Sequence, residues 1–452
     1  VGKNNRQKRA AKKRARAARG PTASKYDVGF DEFTVPPAGP PRRLTVEMIA
    51  DGLARAAFEH YADHAPGEGT DLPERVVADL AGPDPMAEPR AVAIGAGIAV
   101  AEELGRVWKS GWTPADVWEF VRREESAPVG ALLVDRIADD LAKYAPSTVD
   151  ERWARQVQDL GGEIWWKREQ PHLLQWADRC GVDLVQALWA TIKVLGLLQK
   201  LPELPQILPP PGSASARASA SANGVDHKVL AKVRGLLAKA ESTEFPEEAE
   251  AFSAKAQELM NRYAFERAVL DADANRKQTA ASIRVWLDAP YVEAKSHLVA
   301  AIARANRSKS VFYSKLGFIA LVGEEMDLEI VELLATSLLV QAIRAMVAEG
   351  SQITRSGTSR TRSFRHSFLV SYAVRIGERL EEASSRAHDP VEDKRLLPVL
   401  AARSLVVEET FRKMFSHTVQ RSATVSNGAG WEAGRAAADR ADIDIERQAV
   451  DS

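Results

Sequence analysis

The chain is poor in exactly the residues that would announce a catalyst or a membrane protein. It has a single cysteine, Cys180, in 452 residues, which excludes a disulfide framework and a cysteine-built zinc site and fits a reducing cytosol. Its longest uncharged apolar run, Ala91–Ala101, is about half of the ~20 residues that a membrane-spanning helix needs. The basic start is not followed by the apolar stretch and small-residue cleavage site of a secretory signal. No GxxxxGK[ST] loop, GxGxxG fingerprint, GxSxG elbow or HExxH pair is present, and Cys180 has no identifiable histidine partner. Together these absences predict a soluble cytoplasmic protein with no membrane partner and no identifiable cofactor.

Acidic residues are also absent where basic ones gather. Residues 1–20 carry Lys3, Arg6, Lys8, Arg9, Lys12, Lys13, Arg14, Arg16 and Arg19 and no Asp or Glu. The formal net charge of −1 therefore conceals a body of −10, with 52 basic against 62 acidic residues. Like-charge repulsion predicts that this segment is disordered when free. Nine cations in so short a span can neutralise phosphates and release counterions from any polyanion. No aromatic residue precedes Tyr26, so the segment lacks the stacking surfaces that favour single-stranded bases. The competing reading is a solubilising tail. Arginine outnumbers lysine 41 to 20, and with the abundant alanine this suggests a GC-rich bacterial source.

Hydrophobic spacing divides the remainder. Residues 1–43 form the basic tail and a stiff spacer, Val35–Pro41, and 44–200 read as an all-helical domain. Helices are expected near 45–64, 86–109, 114–125, 128–144, 148–160, 170–179 and 183–200, with eight of the ten tryptophans as core anchors. Residues 201–224, rich in Pro and then Ser and Ala, predict a linker that cannot pack. A helical hairpin follows at 225–270. An α+β domain is expected at 280–445, with short strands around Ile283–Leu287, Val311–Tyr313 and Phe318–Val322. Helices are placed near 294–306, 325–349, 363–387, 398–415 and 429–440. The predicted fold is thus mainly α: an all-helical N-terminal domain plus a C-terminal α+β module of helical hairpin, small sheet and long helices.

The hairpin sequence HKVLAKVRGLLAKAESTEFPEEAEAFSAKAQELMNRYAF, from His227 to Phe265, resembles the bacterial and phage family called domain of unknown function 2786. SFRHSFLVSYAVRIGERL from Ser363 and GWEAGRAAADRADI from Gly430 are similar to the region usually attached to that domain, and the Ala/Trp-rich first half resembles actinobacterial members. The resemblance implies a bacterial or phage cytoplasmic protein without an assigned activity, and it supplies no catalytic residues.

Four further constellations bear on function. The second hairpin helix is acidic, with Glu244, Glu247, Glu248, Glu250, Glu258 and Glu266 against Lys255 and Arg262, so it would repel phosphate and reads as a docking element. Residues 351–379 hold Arg355, Arg360, Arg362, Arg365, Arg375 and Arg379 against Glu378 alone. At helical spacing Arg365, Phe368, Tyr372, Arg375 and Arg379 share one stripe, which could hold phosphate and stack a base. Alternatively these arginines pair with the acids that open the preceding helix: Glu324, Glu325, Asp327, Glu329 and Glu332. Glu324, Glu325 and Asp327 follow a strand end and are the candidate metal ligands of a hydrolase or nuclease. His60 and His64, four residues apart, are a weaker metal pair, and His172 and His297 read as packed or surface residues. The expected function is non-catalytic binding to nucleic acid or a ribonucleoprotein through the tail, with the arginine stripe as a second contact. The alternatives are the metal-dependent hydrolase and a scaffold that binds a protein partner.

Overall fold

The computed structural model describes residues 43–62, 70–213, 279–352, 359–386, 393–419 and 424–441, with Lys232, Gly235, Leu236 and Lys239 between them. The tail, the Pro-rich spacer, His64 and nearly all of the hairpin lie outside the described residues.

Among the described residues, eight α-helices build the first block: α1 (Val46–His60), α2 (Leu72–Ala81), α3 (Pro89–Lys109), α4 (Pro114–Glu124), α5 (Ala127–Leu141), α6 (Glu151–Asp159), α7 (His172–Cys180) and α8 (Leu184–Lys200). Local chemistry sets their starts. Thr45 caps α1 through Met48 N, Asp183 and Gln186 form a reciprocal capping box on α8, and prolines occupy the first turn of α2, α3, α4 and α5. Helix α2 is absent from the expected set, although Asp71 followed by Pro73 is its start signal. Helix α8 is buried along most of its length and packs against α1, α3 and α5. Trp108, Trp112, Trp153, Trp166 and Trp176 are buried as expected of anchors. Trp108 meets Trp153 edge-on at 5.0 Å and donates to Asp140 at 2.8 Å, so burial of its indole leaves no donor unpaired.

The expectation that the proline-rich segment cannot pack is corrected for residues 201–213. Leu201, Leu204 and Leu208 are buried. Proline lacks a donor but keeps its acceptor, and the tryptophans use it: Trp112 Nε1 donates to Pro202 O at 2.7 Å and Trp153 Nε1 to Pro209 O at 3.1 Å. The segment is an extended strap across the helical block. It crosses at Gly111, whose φ is +85° and whose Cβ, were there one, would lie 2.2 Å from Leu204 O.

The second part holds β1 (Ala281–Trp286), α9 (Val292–Ala305), β2 (Lys309–Tyr313), β3 (Phe318–Gly323), α10 (Glu325–Ala348), α11 (Thr361–Arg386), α12 (Asp393–Met414) and α13 (Gly428–Asp439). The three strands form an antiparallel sheet of order β1-β3-β2, in register Trp286↔Phe318 and Tyr313↔Phe318. Ile283, Val285, Phe312, Ile319 and Leu321 share one face and join the core made by α9, α10 and α11. Arg284, Trp286, Tyr313 and Phe318 share the other, which meets the helical block and α12: Trp286 donates to Asp116 and Tyr313 packs on Phe415. Central strand β3 is buried throughout, which is why its sequence, FIALVG, shows no polar alternation. Helix α10 is long and apolar enough to cross a membrane, and its Leu328, Ile330, Val331, Leu334 and Leu338 are buried in this core. The architecture is mainly α, with a C-terminal α+β module.

Candidate nucleic-acid interface

Helix α11 carries the arginines and is wedged between α9, α10 and α13. Its contact with α13 is very close, because Gly430 and Gly434 lie against the carbonyls of Phe364 and Phe368. That approach draws one side of α11, from Phe364 onwards, into the interior. Phe368 and Tyr372 are 0% and 1% exposed, and Arg379 is 4% exposed. Arg379 donates to the carbonyls of Ala438, Asp439 and Ala441, capping the carboxyl end of α13 where a cation complements the helix dipole. Arg375 bonds Asp439 and Glu378 and lies 3.5 Å from Glu382; hydrogen bonds to Asp439 and then Glu378 hold it still more firmly protonated than an ordinary arginine. Arg435 completes the network on Glu378 at 2.8 Å.

The expected stripe is therefore corrected: Tyr372 and Arg379 are core residues and Arg375 is an ion-pair hub. The physical reason is that helical periodicity groups residues on a face without saying what that face meets. The partners also differ from those expected. Arg375 uses acids of α11 and α13, while Asp327, among the acids opening α10, is held by Arg307 through bonds of 3.2 and 2.5 Å.

The three carboxylates of the hydrolase reading have separate occupations. Glu324 caps its own helix by accepting from Met326 N at 3.1 Å, and burial, reinforced by the charge of Asp327, pushes its carboxyl above the ordinary range. Asp327 is buried beneath Arg307, and Glu325 is exposed. Among the described residues no three His, Cys, Asp or Glu side chains come together as a metal site. His60 packs on Tyr61 and Trp189, and His172 is buried with its Nε2 on Asp135 at 2.9 Å. A groove of about 730 Å³ beside α5 and α6 is lined mainly by apolar groups such as Leu141, Val149, Val157 and Ile164.

The sequence pattern did not disclose a second dense polar centre among the described residues. Arg284 on β1 pairs with Asp116 on α4 at 2.6 Å and also donates to Gly111 O at 2.9 Å and Pro205 O at 2.7 Å. Asp116 further accepts from Thr113 Oγ1 at 2.7 Å and Trp286 Nε1 at 2.8 Å. Around it, Arg122 and Arg123 both reach Asp288, and Arg123 lies 4.8 Å over the Trp286 ring. These groups are 165 or more residues apart in sequence where they bridge α4 to β1, so no local spacing could reveal them. Their partners are all within the protein, and the centre is an internal clamp between the helical block, the strap and the sheet.

The geometry defines a helical protein whose buried arginines are structural. Residues 228–267 match a family described as "Protein of unknown function (DUF2786)", which coincides with the hairpin whose resemblance the sequence displays. No curated protein and no solved structure matches the chain.

Proposed function

We propose that this is a non-catalytic protein that binds nucleic acid or a ribonucleoprotein in the bacterial cytoplasm through its basic N-terminal segment. The observation that carries the reading is the run of nine cations without an acid in residues 1–20, on a chain whose remainder is net negative. It is supported by the way Arg375 and Arg379 of the folded body are already occupied by protein acceptors, which leaves the tail as the densest source of phosphate contacts. Such binding is electrostatic and indifferent to sequence.

The test is a salt series. Full-length protein and a chain lacking residues 1–20 are titrated with mixed-sequence RNA and DNA. If all nine cations engage phosphates, log K falls against log[salt] with a slope of about −8 on duplex and about −6 on single strands. Removing residues 1–20 is expected to abolish most of that slope. Unchanged affinity and slope in the shortened chain would overturn the proposal.

A further inference from the structure

Helix α11 treats its arginines in two ways. In its second half Arg375 and Arg379 are saturated with acceptors. At its head, Arg360, Arg362 and Arg365 have no ion-pair or hydrogen-bond partner for their guanidinium groups among the described residues. Arg360 and Arg362 are exposed, whereas Arg365 is half-buried and its Nε is a buried donor with no acceptor. Sheltering a guanidinium donor from water without giving it an acceptor costs free energy, and arginine is among the residues least often buried unpaired.

Two further features deepen the anomaly. Arg362 and Arg365 are three apart on a helix and so are neighbours, two like charges on one surface. They also stand in the first turns of a helix with no acid in its opening turn, so they face the positive end of its dipole. His366 lies beside them, close enough to His297 on α9 that its charge disfavours protonation there. A segment selected only for stability would place acids here. Local choices that oppose the fold's own preferences concentrate at functional sites.

We propose that the head of α11 is a phosphate-binding site in which Arg362 and Arg365 hold the oxygens of one phosphate group and Arg360 closes it from solvent. Guanidinium presents N–H donors in a fixed fork that matches phosphate oxygens, and a bound phosphate would accept from the terminal N–H groups of Arg362 and Arg365, which unlike Arg365 Nε are not sealed in the interior, and would offset the like charges at the helix end. On the reading of the preceding subsection, on which this identity of the ligand rests, the phosphate belongs to the backbone of the nucleic acid that the tail also holds.

The site is tested apart from the tail by using a full-length variant in which the nine tail cations are glutamine. Inorganic pyrophosphate at millimolar concentration is expected to raise its unfolding midpoint by several degrees, while sodium chloride of equal ionic strength does not. Arg362→Gln/Arg365→Gln should abolish the response, and without ligand this variant should be at least as stable as its parent, because the substitutions remove repulsion. Should that variant fail to fold, Arg362→Gln alone, at an exposed position, must still weaken the response. Arg362→Lys/Arg365→Lys, which keeps charge and loses the fork, must weaken it without abolishing it. A full pyrophosphate response in these variants, or none in the parent, overturns the site and leaves the tail's salt slope untouched. A pyrophosphate response that depends on the arginines, with no binding of a short single-stranded RNA by the same protein, upholds the site and overturns its assignment to nucleic acid.

Discussion

Replacing Arg284 by methionine keeps most of the buried hydrocarbon and removes one charge from the clamp between β1 and α4. The side chains of Arg284 and Asp116 are 2% and 4% exposed, so the abandoned carboxylate cannot be rescued by water. It would keep Thr113 Oγ1 and Trp286 Nε1, two neutral donors, and lose the guanidinium it pairs with, while the carbonyls of Gly111 and Pro205 each lose a donor. Breaking a buried pair from one side costs about 3–5 kcal/mol, which is a large share of a typical ~5–15 kcal/mol of folding stability. Neutralising both partners is far milder, because no bare charge remains. Arg284→Met/Asp116→Asn should therefore be more stable than Arg284→Met alone, an outcome opposite to additivity. Urea unfolding followed by tryptophan emission reads this directly, since Trp112 and Trp286 lie 6.3 Å apart at the clamp. A loss below about 1 kcal/mol in the single variant, or a double variant that loses the sum of the two single losses, would refute the reasoning.

Gly434→Ala should destabilise by about 1–3 kcal/mol despite alanine's better helix propensity, because the new Cβ would sit 2.2 Å from Phe368 O; thermal melts of the two proteins check it. Glu324→Gln should raise the unfolding midpoint at neutral pH. Burial, then the charge of Asp327, raises the folded-state carboxyl above its ordinary 4.5, so its ionised form costs stability at every pH above that raised value, while glutamine still offers an oxygen to Met326 N. The advantage should vanish in acid, where Glu324 is protonated in both states. His297 is shifted the other way: burial, with the charge of His366 acting in the same sense against the opposing pull of Glu293, lowers it from 6.5. The unfolded chain then takes up the proton first, so stability is lost as pH falls through 6.5 towards the folded-state value, and His297→Gln should flatten that part of a stability-versus-pH curve.

Helix existence was legible because its signals are local. Thr45, Asp183 and the first-turn prolines mark starts, and the apolar stripes mark the buried sides. The strands were legible from their β-branched and aromatic runs, and the arginine density before residue 379 was visible as a count. What the sequence withheld was the environment of each face. Arg375 and Arg379 look like a binding strip until α13, contributed by the far end of the chain, supplies Asp439 and its terminal carbonyls. The proline strap looked unpackable because periodic patterns describe helices and strands, whereas its stability comes from leucines and bare carbonyls meeting Trp112 and Trp153, which are distant in sequence.

The strap and the clamp have a consequence for anyone who would divide the chain. Its composition invites a cut near residue 214, yet the outer face of the sheet carries Arg284 and Trp286, and both find their partners on α4 and the strap. A C-terminal fragment beginning after the strap would display a cation and an indole shaped for a surface it no longer owns, and an N-terminal fragment would keep Asp116 charged and unanswered. The two pieces are better regarded as complementary halves, expected to be aggregation-prone apart and to reassemble when produced together, so that a reporter split at this point would read their association.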